Sequence, residues 1–423
     1  MNEKTRVFFP LFSVDRLAFR VRHSFLFPVH HSSFRVHHSF YCLLLSCLLL
    51  GCSPTYILRA GYEEAKILWH RRPIEEVLNR ANLDAATREK LELVLRVRQF
   101  AEQDLGFRVG GSYRSITEVA NPPIVYVVTA APRTKLEPYT WWFPIVGRVA
   151  YKGYFEVESA KKEAQSLAER GYDTYIRTAL AFSTLGWFAD PLLPHLLKYN
   201  QETLTNVIVH ELFHSTFYLS GQTALNESLA NFAGHRGAIA FFVKEQGEEG
   251  AMARHAKATW ESELAISGFL AKATKRLDEL YASPVSEADK LHQREELFAR
   301  LQEEFRNLPG PVRQNTDFGS VKLNNAVLVQ YLTYLRELAL FELIYQQNGR
   351  DLRESLQQIT EAAKKEDDDP FAGVKTLISP SAASLSLGWP TSGTKTSTRR
   401  PTGSATSADC SGSPNEPAVG PER

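Results

Sequence analysis

Residues 207–218 read VIVHELFHSTFY, with two histidines four apart and a glutamate beside the first. On a helix, residues four apart share a face, so His210 and His214 can offer two imidazoles to one point. Glu211 is offset from His210 by about 100° and stays within reach of whatever the imidazoles hold. The next stretch, LSGQTALNESLANFAG (219–234), breaks the helix at Gly221 and restarts it, with Thr223 as N-cap. On this reading the first helix runs to about Leu219. His214 and Glu227 then lie about 7 and 6 Å from the break, at roughly 1.5 Å per residue, so an antiparallel hairpin brings them level. Two helices held at one register are the strongest constraint in the chain.

Cysteine placement decides which residues can ligate a metal. Cys42, Cys47 and Cys52 crowd into one apolar stretch and Cys410 stands alone near the end, so the body from Ser53 to Asp409 has neither a disulfide nor a thiolate ligand. The burden falls on His, Asp and Glu. In H-E-x-x-H chemistry, two neutral imidazoles hold one zinc ion and the glutamate takes a proton from its water. His210 and His214 fit the first role and Glu211 the second. Glu227 supplies a third ligand and leaves a fourth position open. Asn231, one turn beyond Glu227, can orient a ligand histidine through its second nitrogen. Candidate donors to a developing oxyanion are Tyr218, read as one turn beyond His214 on the ligand face, His235 and Tyr154. The competing reading is an ordinary amphipathic helix whose histidines are satisfied within the core. Asp190, before Pro191, reads as a turn residue.

The rest of the chain divides by composition. Residues 1–52 form an N-terminal extension and export signal, 53–375 the folded domain, and 376–423 a polar tail of disordered composition. The phrases VRHSF, VHHSSF and VHHSF hold five of the twelve histidines, and read as a misassigned start or translated repeat, or else as a metal-storing tract. YCLLLSCLLLGC (41–52) is too short to span a bilayer and suits the apolar region of an export signal behind Arg20, Arg22 and Arg35. Gly51 before Cys52 is similar to the bacterial lipobox, which makes Cys52 the lipidated residue; Leu44-Leu45-Ser46-Cys47 is a competing match. The body opens with helical periodicity over 56–106, including a helix start at Pro73. Strands follow at 124–131, 145–155 and 172–183, with a helix between the last two. Helices return from Gln201, with long ones over 248–281, 286–308 and 323–348. This is an α+β class that is mainly helical, with a small sheet beside the H-E-x-x-H helix. A net charge of +1 and the lack of a phosphate-binding glycine loop give no footing for nucleic acid.

HELFH followed by NESLANFAG resembles the gluzincin metallopeptidases, and Asn226, Glu227 and Asn231 match their N-E-x-x-x-D pattern except for Asn at the last position. The link from His214 to Glu227 is also shorter than is usual there. A wider likeness, carried by RRPIEEVL, YKGYF, GYDTYIRTALAFSTLGWFADPLL, HELFHSTFY, GQTALNESLANFAG and LNNA, runs from about Cys52 to Gly373. It resembles a bacterial lipoprotein family assigned as aminopeptidases. The resemblance implies a zincin-like fold, one Zn2+ and a peptide or protein substrate. It also implies a lipid-anchored place in the cell envelope, facing the periplasm, with Ser53 after the lipid cysteine favouring the outer membrane. DTYIRTALAFSTLGWF would then be the edge along which a substrate backbone aligns. An envelope endopeptidase uses the same site, and a catalytically silent scaffold is the reading from a different class.

Overall fold

The computed structural model describes residues 54–118, 125–143, 147–179, 189–314, 316, 318–366 and 368–378. The extension with Cys52, the end of the expected third strand and nearly all of the tail lie outside them. The architecture is mainly helical with small antiparallel sheets. Among the described residues, no helix is long and apolar enough to cross a membrane.

The N-terminal part holds α1 (Pro54–Trp69), a short β1 (Arg71–Pro73), α2 (Ile74–Leu78) and α3 (Ala85–Gln103). Asp84 caps α3 by accepting from the Thr87 amide at 2.8 Å, as a short acidic side chain does at the first turn. β1 pairs with β2 (Ser115–Thr117). A three-stranded sheet has β3 (Tyr126–Pro132) at its centre, with β6 (Lys152–Tyr154) and β7 (Tyr172–Thr178) antiparallel on either side. The strand expected over 145–155 divides in two, because β5 (Gly147–Val149) pairs with β4 (Trp141–Phe143) instead of with β3. The chain switches sheets at Ala150 and Tyr151.

Side chains alternate across β3, as the pleat requires. Val128 and Ala130 pack on Ala160, Ala164 and Leu167 of α4 (Val157–Glu169), while Ala131 packs on Ala326 and Val329 of α10 (Asn325–Leu335). A central strand covered on both faces reads as a continuous apolar run, which is what IVYVVTAA is.

The larger core gathers α3, α5 (Gln201–His214), α6 (Thr223–Gln246), α7 (Ala251–Ala282) and the later helices. Asn200 caps α5 through the Thr203 amide at 2.8 Å. α8 (Glu287–Arg306) and the short α9 (Gly310–Gln314) lead to α10, followed by α11 (Leu338–Gln347), α12 (Leu352–Ala363) and α13 (Pro370–Lys375). Leu377 and Ile378 still pack on this core, so the folded body reaches slightly past residue 375. One helix was expected over 323–348; two form, separated at Arg336 and Glu337, where Glu337 takes φ 58°. The carbonyls left at the end of α10 find side-chain donors on neighbouring helices. Ser228 reaches Thr333 O at 3.2 Å, Asn231 reaches Tyr334 O at 3.3 Å and Ser267 reaches Leu335 O at 2.6 Å.

Candidate metal centre

The hairpin of α5 and α6 forms, with its first helix shorter than expected. α5 stops at His214, and Ser215 begins an irregular link over 215–222. Gly221 turns that link at φ 78°, a conformation glycine adopts without strain. Thr223 is the first helical residue rather than the cap, and its hydroxyl accepts from the Ala150 amide at 3.3 Å. Asn226 holds the link, accepting from Leu219 N at 2.9 Å and donating to Leu219 O at 2.7 Å. Arg108 ties it from the other side, its amide donating to the Thr216 hydroxyl and its guanidinium to the Thr216 carbonyl.

Two glycines let the helices close. A Cβ on Gly234 would lie 2.9 Å from the Asn206 carbonyl oxygen and 3.3 Å from His210 Cβ, and one on Gly237 would lie 2.7 Å from Val209 Cγ1. Backbone therefore meets backbone next to the ligand face.

His210 Nε2 and His214 Nε2 are 3.2 Å apart, and Glu227 Oε2 lies 3.3 Å from the first and 3.6 Å from the second. A tetrahedral ion with ligand bonds of about 2.0–2.2 Å requires ligand–ligand edges of about 3.3–3.6 Å. The three atoms thus form one face of such a tetrahedron, and the donor set fits a metal ion. Among the described residues, this is the one group of three or more ligating side chains so placed.

The electrostatics agree with the geometry. Burial works to raise the Glu227 carboxyl, but the charges and hydrogen bonds of His214 and His210 outweigh it and hold Glu227 well below the usual range. Burial alone would lower His214, and the Glu227 carboxylate overcomes that and raises it. An anion and two imidazoles converging in a buried site await a cation or share a proton. Burial pushes the Glu211 carboxyl up, with the nearby charges of Glu227 and Asp190 adding to the effect and the two histidines opposing it.

A family model described as "Putative aminopeptidase" matches residues 55–371. The chain belongs to that family. No curated protein and no solved structure matches it. His210, His214, Glu227 and Glu211 all lie within the matched segment, and membership is consistent with a peptidase at a coarse level.

The remaining residues singled out in the sequence fall in several places. Asn231 is adjacent to the centre, but its amide donates to the Tyr334 carbonyl. Tyr218 lies beyond the end of α5, so it does not occupy the helical ligand face; it still feels the Glu227 charge, after burial the main influence raising its hydroxyl. His235 is buried against Trp260 at 5.4 Å between ring centres and meets the Asn206 amide. Burial, then the His210 and Arg236 charges, hold it down at about 3, so it stays neutral. Tyr154 packs in the sheet cluster with Trp141 and Val128. Asp190 is buried and its carbonyl accepts from the distant Tyr113 amide at 2.8 Å, a link between two chain segments rather than the expected turn, and its charge also reaches Glu211.

Three residues at the centre were not singled out in the sequence. The Tyr151 hydroxyl donates to Glu227 Oε1 at 3.1 Å. The Tyr334 ring stacks on His210, with centres 6.3 Å apart at 28°. Arg177 Nη2 donates to the Tyr334 hydroxyl at 2.8 Å. The signal for Tyr151 was YKGYF, quoted for the family likeness. Arg177 lies in GYDTYIRTALAFSTLGWFADPLL, quoted for the same likeness, and Tyr334 carries no local motif.

Proposed function

We propose that the protein is a zinc-dependent aminopeptidase with a zincin-like arrangement, tethered to the bacterial envelope by a lipid on Cys52 and facing the periplasm. The observation that carries the catalytic reading is the triangle of His210, His214 and Glu227 next to the half-buried Glu211, in a chain of an aminopeptidase-named family. The set of two imidazoles and one carboxylate is a zinc set, and its fourth position is left for water. Zinc bound there would supply Lewis acidity toward a peptide carbonyl and its attacking water.

Glu211 takes the water's proton as the oxygen adds to the carbonyl carbon. It returns that proton to the amine nitrogen as the C–N bond breaks. Its burial suits both steps, because a carboxyl raised from the usual range is a stronger base and a ready acid. Tyr151 fixes the second oxygen of Glu227, leaving the first to face the imidazoles. The anchor is supported by the apolar run ending in Gly51-Cys52. An acylated Cys52 at the mature N-terminus, read by mass spectrometry, supports it; a start elsewhere overturns it.

The test of the reaction is digestion of a peptide mixture in which half the members have blocked N-termini, by the protein and its Glu211→Gln variant. Loss of single N-terminal residues from unblocked peptides only, and only by the wild type, is the expected result. Internal cuts in both halves would make it an endopeptidase, and the absence of Glu211-dependent cleavage would sink the peptidase reading.

A further inference from the structure

Addition of water to a peptide carbonyl moves the carbonyl π pair onto oxygen, and a donor aimed at that oxygen lowers the barrier. The tyrosines and histidines around the centre are not equally able to serve. His235 is engaged with Asn206 and Trp260, and Tyr154 belongs to the sheet cluster. Tyr218 has left the helical face, and the Tyr151 proton is committed to Glu227.

Tyr334 differs from all four. Its ring lies against the ligand His210, and its hydroxyl oxygen accepts from Arg177, which leaves the phenolic proton to donate elsewhere. Arg177 is itself held. With its amide oxygen toward the guanidinium, Gln330 accepts from Arg177 Nε at 2.8 Å and Nη2 at 3.1 Å, and donates to Thr129 at 2.7 Å. The Tyr334 backbone is equally constrained, because Ser228 and Asn231 tie the end of α10 to the helix that carries Glu227. Donor and metal ligand thus share one rigid frame, the condition for a preorganised donor.

Resting on the peptidase reading above, we propose that Tyr334 is a catalytic residue that hydrogen-bonds the carbonyl oxygen as it becomes negative, with Arg177 its positioning residue. Tyr334 keeps its proton throughout. The water's proton goes to Glu211 and then to the leaving amine, so the phenol changes neither charge nor bonds.

The test compares the full chain, zinc-loaded, with its Tyr334→Phe, Arg177→Gln and Glu211→Gln variants. The readouts are zinc content, kcat and KM on a peptide the wild type cleaves, and calorimetric affinity for a phosphinic pseudopeptide. The charged oxygens of that probe imitate the attacked carbonyl. For Tyr334→Phe the expected result is unchanged zinc content, KM within about two-fold, and kcat lower by about 10²–10³-fold. Affinity for the phosphinic probe should weaken by at least ten-fold. Arg177→Gln should lower kcat and probe affinity in the same direction but by less. Glu211-dependent cleavage with kcat and probe affinity indifferent to Tyr334→Phe overturns the proposal and leaves the peptidase reading standing. No Glu211-dependent cleavage by the wild type overturns both.

Discussion

Gly234→Ala puts a methyl group into the tightest crossing of α5 and α6. The new Cβ would sit 2.2 Å from Asn206 Oδ1, 2.9 Å from the Asn206 carbonyl oxygen and 3.3 Å from His210 Cβ. The Asn206 side chain can swing aside at the expense of its contact with His235, whereas the carbonyl is part of α5 and moves only with the helix. Overpacking of this kind costs about 1–3 kcal/mol. Alanine in a helix interior returns about 1 kcal/mol relative to glycine, so the net loss is about 0–2 kcal/mol. At roughly 2–4 °C per kcal/mol for a large domain, the melting temperature falls by up to about 8 °C. Gly268→Ala is the control, because that glycine is exposed in α7 and a Cβ there meets nothing within 4 Å. It should gain up to about 1 kcal/mol. His210 rides on the displaced helix, so zinc affinity should fall by about 10–100-fold, the scale of a disturbed ligand support. Thermal unfolding of the metal-stripped proteins and zinc titration against a competing chelator read both effects. If Gly234→Ala is as stable as Gly268→Ala and binds zinc like the wild type, close approach of the helices is not what sets the centre.

Other perturbations test neighbouring parts of the account. Asn226→Ala removes both hydrogen bonds to Leu219 and should cost about 2–4 kcal/mol in thermal unfolding, since two backbone groups lose their partners. Tyr151→Phe deletes the hydrogen bond to Glu227 Oε1 and should weaken zinc binding by about 10–100-fold without changing the fold seen by circular dichroism. The metal-free protein should show a stability plateau set by the Glu227–His214 pair. Glu227 is depressed from 4.5, so its contribution is present above that value and lost as pH falls through the folded pKa; His214 is raised from 6.5, so its contribution is complete below that value and lost as pH rises through the folded pKa. The pair therefore stabilises most between pH 4.5 and 6.5, and His214→Gln should remove the fall on the alkaline side. In the same alkaline range zinc affinity should rise, because metal and proton compete for His214.

The centre was legible because its ligands sit on two adjacent helices. The i, i+4 spacing of His210 and His214 and the interval to Glu227 fix relative positions by helix geometry alone. Contributions that cross between elements were not legible. Tyr151 reaches Glu227 because the chain changes sheets at residues 150–151, and YKGYF reads locally as one strand with its flanks. Tyr334 reaches His210 from the last turn of α10, a contact between distant elements, and that helix ends at Leu335 although YLTYLRELALFELIY has helical periodicity throughout and neither glycine nor proline. The break is stabilised from outside, by Ser228, Asn231 and Ser267. Asn231 illustrates the same point, since its position one turn beyond Glu227 was correct while its partner, a carbonyl on another helix, belongs to tertiary structure. The end of α5 at His214 rather than near Leu219 likewise rests on contacts from Asn226 and Arg108 across the link.

The most direct test of the central claim is the zinc content of the purified protein, with the metal's ligands read by X-ray absorption. The account predicts one zinc per chain with two imidazole nitrogens and oxygen completing the shell, retained in Glu211→Gln and lost when His210 and His214 are both replaced by alanine. Zinc absent from the wild type even after loading, or bound equally well without the two histidines, would contradict it.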